Sequence, residues 1–67
     1  FQSMDLAQNI LVVKTVSGMA MAAAAAVDEM QIPEIVGCIA GDNTLMCVAR
    51  SADEGLVLME KIRKMIM

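Results

Sequence analysis

The sequence predicts an α+β fold, a two-layer sandwich in which a small four-stranded antiparallel sheet carries two helices on one face. Three observations point there. A β-branched apolar run precedes an alanine-rich segment, a second apolar run turns back on itself through Gly41-Asp42-Asn43-Thr44, and a helix-capping signature opens the last amphipathic stretch. The order of elements is ββαββα.

The elements follow from local chemistry. Gln8-Asn9 closes a hairpin with a first strand over residues 3–7. Ile10 to Val13 is a strand, continued by Lys14-Thr15-Val16, and its lack of clean alternation predicts burial on both faces, or nearly so. Ser17-Gly18 punctuates the chain, and Ser17 is a fair N-cap for a helix from Met19 to Gln31, rich in alanine. Polar residues enter that helix only at its end, as Asp28, Glu29 and Gln31. A helix apolar nearly all round needs cover on more than one side. The sheet supplies one side and a neighbouring subunit the other, with Ala20, Ala23, Ala24 and Ala26 allowing close backbone approach.

Pro33 stops the helix. Ile35 to Ala40 reads as a strand, Gly41 to Thr44 as a turn and Leu45 to Ala49 as the returning strand, which sets Cys38 opposite Cys47 and Ile39 opposite Met46. Ser51-Ala52-Asp53-Glu54 is a capping box. The helix it opens places Leu58, Ile62, Met65 and Ile66 on one face, with Glu60, Lys61 and Lys64 largely opposite. Acidic residues sit in its first turn and basic ones in its last, as the helix dipole favours.

Composition bounds the function. The chain has 67 residues, one small domain, and chains of this size bury only about 60% of their unfolded surface. Yet 58% of the residues are apolar, against roughly 45–50% in ordinary globular chains. Self-association reconciles the two. The net charge of −3 leaves no surplus of Lys and Arg to neutralise phosphates. The one basic cluster, Lys61, Arg63 and Lys64, is diluted by Glu60, so direct DNA binding by this piece is not expected. Histidine is absent, which removes the commonest general base and metal ligand. No enzyme and no metal site are expected.

The apolar stretch from Val16 to Val27 is too short and too alanine-rich to span a bilayer, and no signal peptide is visible. Phe1-Gln2-Ser3-Met4 reads as the remnant of a cleavable expression tag, with the domain over residues 5–67. Met46 and Met59 read as core fillers, whereas Met65 and Met67 sit at a terminus. Cys38 and Cys47 read as reduced, buried, small hydrophobes, because opposed Cβ atoms about 4.5–5.5 Å apart are slightly distant for an unstrained disulfide.

The string Glu34-Ile35-Val36-Gly37-Cys38-Ile39-Ala40-Gly41-Asp42-Asn43-Thr44 runs a strand into a tight turn that presents Asp42. An exposed carboxylate there suits a guanidinium group, which it accepts through charge-assisted, bidentate hydrogen bonds. Asp and Asn are also favoured in tight turns for backbone reasons alone. The same order of residue types, Gly-Thr-Ile-Ala-Gly-Asp-Asp-Thr, marks the effector-binding turn in the C-terminal domain of bacterial arginine repressors. Over residues 10 to 66 this chain resembles that domain.

The resemblance implies a cytoplasmic regulatory domain that forms homotrimers and pairs them into homohexamers around bound L-arginine, with no other cofactor. Operator DNA is bound in that family by a separate N-terminal winged-helix domain, absent from this sequence. By the same resemblance Asp42 matches the first aspartate of the arginine-holding pair. Asn43 matches the second and brings no negative charge. Asp28, ten residues after Gly18, matches a pocket-lining aspartate. Met21 stands where enteric members carry a ligand-binding glutamine, Cys38 replaces a threonine, and Ala40 matches an alanine acting through its backbone.

Two functions therefore compete. One is a regulatory module that binds L-arginine between subunits and drives trimer-to-hexamer assembly of a repressor of arginine metabolism. The other is a purely structural oligomerisation domain that has lost effector binding. A similar sandwich occurs in pterin dehydratases, but their chemistry rests on histidines.

Overall fold

A computed structural model describes residues 2–66, without the side chain of Ile66. Its elements are β1 (Ser3–Ala7), β2 (Ile10–Lys14), α1 (Ala20–Glu29), β3 (Ile35–Ala40), β4 (Thr44–Ala49) and α2 (Ala52–Ile66). The four strands form one antiparallel sheet in the order β1-β2-β4-β3. This is the predicted ββαββα architecture. Ser3 and Met4, from the segment set aside above, open β1, and Met4 packs against the core. Phe1, Met67 and the assignment of Ile66 to the apolar face of α2 lie outside the described residues.

Strand register is set by the two turns. Gln8 takes a left-handed φ of 59° at the first, and Ala7 pairs with Ile10. At the second, the Gly41 N–H donates to the Thr44 carbonyl at 2.9 Å, leaving a two-residue tip of Asp42 and Asn43. Cys38 then faces Cys47 and Ile39 faces Met46, as read from sequence. Thr44 belongs to β4 as well as to the turn, and a register shift between Ile35 and Gly37 makes Val36 a bulge.

One face of the sheet is the core. Leu11, Val13, Leu45, Cys47 and Ala49 from the strands meet Ala20 and Val27 from α1 and Leu58 and Ile62 from α2, all buried. The expectation that β2 is buried on both faces, or nearly so, holds in full on one face only: Leu11 and Val13 are buried, whereas Ile10 and Val12 on the other are half-buried and Lys14 is exposed. Among the described residues, none covers the opposite face. There Ile39 is 72% and Val36 61% exposed. Met46 belongs to that face too and is not a core filler, whereas Met59 packs on the core as expected.

The helices also depart from their sequence outlines. The first begins at Ala20 rather than Met19 and ends at Glu29, not Gln31. Gln31 takes a left-handed φ of 51°, so the helix has already closed before Pro33. Ser17 does not cap it: Met19 occupies the N-cap position without a side-chain bond. Ala20 and Ala23 face the sheet rather than a neighbour, while Met21, Ala22, Ala25 and Ala26 face outward. In α2 the Ser51 hydroxyl accepts from the Glu54 N–H at 3.1 Å, the cap expected from sequence. Leu58 and Ile62 are buried, but Met65, in the last turn, is exposed. Lys61 reaches Glu34 at 2.7 Å and ties the α1–β3 connection to α2. That ammonium holds the Glu34 carboxyl below its ordinary range.

Gly55 sits inside α2 for a packing reason. A Cβ there would lie 3.0 Å from Leu6 Cδ1 and 3.2 Å from the Gln8 carbonyl oxygen. The leucine tip can turn aside, but the hairpin backbone cannot. Alanine gains about 1 kcal/mol of helix propensity over glycine, and overpacking costs typically 1–3 kcal/mol. Gly55→Ala should therefore destabilise the fold by about 1 kcal/mol, read from urea denaturation midpoints. A more stable variant would show that α2 stands farther from the β1–β2 hairpin.

Candidate functional site

The site is built around the β3–β4 turn and the start of α1. Two main-chain carbonyls of the tip point at the β2–α1 connection. The Asn43 carbonyl accepts from the Thr15 N–H at 2.8 Å, and the Asp42 carbonyl accepts from the N–H groups of Gly18 at 3.0 Å and Ala20 at 3.2 Å. Helix starts leave N–H groups without intrahelical partners, so the Asp42 carbonyl does the work a capping side chain does elsewhere. Gly18 makes this possible by taking a φ of 83°, a left-handed conformation that L side chains rarely adopt.

Each predicted site residue has a definite place. Asp42 is exposed at the tip, and its Oδ2 accepts from Ser17 Oγ at 2.8 Å. Asn43 is exposed beside it, and its Oδ1 accepts from Thr44 Oγ1 at 2.9 Å. Ala40 is half-buried on the core side of β3. Cys38, two residues earlier on the same face, donates from Sγ to Asp28 Oδ1 at 3.6 Å. Met21 projects from the outer side of α1, 71% exposed.

These residues form two groups rather than one pocket. Asp42 and Asn43 sit at the N-terminal end of α1, and Asp28 and Cys38 at its C-terminal end. Eight residues separate Ala20, bonded to Asp42, from Asp28, a helical rise of about 12 Å. Neither Asp42 nor Asp28 has a cationic partner among the described residues. Asp5, Glu29, Asp53 and Glu54 share that condition, but Asp42 and Asp28 differ in accepting a side-chain hydrogen bond, from Ser17 and Cys38, that orients the carboxylate at either end of α1.

Sequence reasoning missed Ser17, Thr15 and Thr44. Ser17, a helix cap by its sequence position, instead donates its hydroxyl to the Asp42 carboxylate. Thr15 is buried between the exposed Lys14 and Val16, with Oγ1 donating to the Val16 carbonyl at 2.9 Å. A threonine embedded among valines was the available signal.

The two cysteines are free thiols. Burial pushes the Cys47 thiol up to about 12, and burial followed by the Asp28 charge raises that of Cys38. Thiolates are the reactive and metal-binding form, so at neutral pH both side chains behave as small apolar groups, with Cys38 also a weak donor to Asp28. Among the described residues no group of three or more His, Cys, Asp or Glu is gathered to hold a metal ion, and no helix is long and apolar enough to cross a membrane.

Comparison with known proteins gives a consistent set of relatives. The family profile described as "Arginine repressor, C-terminal domain" matches residues 1–64. The chain is similar to the arginine repressor of Lachnoclostridium phytofermentans, 61% identical over 98% of this chain and 43% of that protein. It is 58% identical to the arginine repressor of Lachnospira eligens over 98% of this chain and 44% of that protein. With the arginine repressor of Acetivibrio thermocellus it shares 52% identity over 97% of this chain and 42% of that protein. The chain thus spans about two-fifths of the length of these curated relatives.

The raised Cys47 value carries a pH dependence. A thiol whose folded value exceeds its unfolded one favours the fold fully below about pH 9, and that advantage is lost as pH rises toward about 12. Urea midpoints should fall over this window, and Cys47→Ala should fall less steeply. Parallel profiles for the two proteins would place Cys47 outside the sealed core.

Proposed function

This chain belongs to the arginine repressor C-terminal domain family, and from that membership we propose that it is the effector-sensing and assembly module of a transcriptional repressor of arginine metabolism. L-arginine binds between subunits, and its guanidinium group is held by Asp42. The observation that carries this reading is the fixed tip: a carboxylate without an ion-pair partner on a turn whose backbone is bonded at three points, two in the β2–α1 connection and one at the first residue of α1. A guanidinium group needs a planar, charged acceptor in a set place.

The separation of about 12 Å between the two ends of α1 supports a site shared by subunits. Asp28 and Asp42 of one chain cannot close around the same end of an amino acid. Asp28 of one subunit and Asp42 of another can do so if copies pack with α1 at their boundary. The exposed apolar faces, Val36 and Ile39 on the sheet and Met21 on α1, supply area for that packing. Assembly into homotrimers, with arginine bridging trimers into hexamers, follows by mass action, because a ligand bound only by the larger assembly stabilises it. Operator DNA is contacted by a region outside this sequence, and the full protein works in the cytoplasm.

A second reading, a structural oligomerisation domain without effector binding, has one observation in its favour. The tip side chains are already engaged within the chain, Asp42 by Ser17 and Asn43 by Thr44. Asn43, Met21 and Cys38 also depart from the polar or charged residues the effector pocket uses.

Calorimetric titration separates the two. L-arginine should bind and citrulline, its uncharged analogue, should bind more weakly. Asp42→Asn should reduce arginine affinity by about ten-fold or more, as a charged hydrogen bond becomes neutral. Unchanged affinity in that variant would move the site elsewhere. Sedimentation velocity gives the second test. The parent should sediment as a trimer or hexamer, and Asn43→Asp should bind arginine about ten-fold more tightly and shift trimers to hexamers with increasing arginine. Equal hexamer fractions at every arginine concentration would favour the structural reading.

A further inference from the structure

We infer that Ser17 is a positioning residue for the Asp42 carboxylate, holding it in one rotamer before the effector arrives. The inference rests on the effector reading above and adds a residue to it. The backbone of Asp42 is fixed by Gly18 and Ala20, but those bonds leave its side chain free to turn. An exposed aspartate has three staggered χ1 wells open to it. The Ser17 hydroxyl, donating to Oδ2 at 2.8 Å, selects one.

The bond orients the carboxylate without consuming it. An ionised carboxylate offers about four acceptor positions over two oxygens. With one position on Oδ2 taken, Oδ1 is left for one guanidinium N–H, and a second lone pair on Oδ2 for the other. The hydroxyl is free for this task because helix capping does not need it. The Asp42 carbonyl already serves the Ala20 N–H, and Met19 stands at the N-cap. The left-handed turn at Gly18 separates Ser17 from the helix proper. Ser-Gly ahead of a helix therefore acts here on the neighbouring turn instead of on the helix itself.

The test is a double-mutant cycle read by calorimetric titration with L-arginine on the parent, Ser17→Ala, Ser17→Thr, Asp42→Asn and the Ser17→Ala/Asp42→Asn double variant. Loss of the hydroxyl should weaken arginine binding about three- to ten-fold, the scale of releasing one ordered side chain. Ser17→Thr, which keeps a hydroxyl, should restore most of it. In the Asp42→Asn background the further change Ser17→Ala should cost nothing more, since coupled residues are non-additive. An equal loss in both backgrounds would make Ser17 a structural residue only and overturn the inference. Parent-like binding by Ser17→Ala, with Asp42→Asn still weakened, would overturn the positioning role and leave the effector reading standing. A parent that gives no arginine heat overturns the effector reading and this inference with it.

Discussion

The docking of the β3–β4 tip onto the β2–α1 connection is the interaction on which the rest of this molecule depends. Three main-chain bonds, to the carbonyls of Asp42 and Asn43 from Thr15, Gly18 and Ala20, join the two halves of the chain. The Thr15 bond extends the β2–β4 ladder past its last pair, Lys14 with Thr44, and the Gly18 and Ala20 bonds carry the contact on to α1. They also satisfy an N–H at the start of α1 and hold the tip against solvent. A hairpin tip is ordinarily the most mobile part of a sheet. Here it is bonded like the strands behind it, so the side chain of Asp42 departs from a fixed origin.

The second constraint is size. Sixty-seven residues enclose one core between the sheet and the helices, and the remaining apolar side chains have nowhere inside to go. They lie on the outer sheet face, on the outward side of α1 and the connections at its ends, and on α2, where Leu56, Val57 and Met65 are exposed. The sheet face is continuous with the proposed effector residues, since Met46 and Ile39 pair across the strands that lead into the tip. The assembly and effector binding proposed above would thus draw on the same two strands. A ligand gripped at the tip and a partner packed on the sheet act on one rigid element, which is the physical requirement for coupling between them.

The chemistry of the site is plain in its charges. Eight acidic residues face five basic ones, and the ion pairs among the described residues engage Glu34 and Glu60. Asp42 and Asp28 are left with hydroxyl and thiol partners, which order a carboxylate without neutralising it. A neutral donor costs an incoming cation little to share. The cysteines complete this environment as protonated, apolar neighbours rather than as reactive groups.

By itself the sequence determined the order of elements, the hairpin register that sets Cys38 against Cys47, the Ser51 cap of α2 and the exposed aspartate of the turn. Each of these rests on chemistry between near neighbours, or on a loop length that leaves one register open. What only the tertiary structure decided rests on contacts between distant segments. Residue 17 and residue 42 are 25 positions apart, and nothing local to Ser17 distinguishes a helix cap from a partner for a carboxylate. The alanines of α1 sort into inner and outer faces only once the sheet is placed beneath them, because alanine carries no pattern of its own. Likewise β2 reads as buried on both faces, or nearly so, until its neighbours show that one face has no cover among the described residues. The glycine within α2 is explained by the β1–β2 hairpin that crosses it. In each case local preference left two answers open, and the choice fell to packing against a part of the chain the local sequence does not contain.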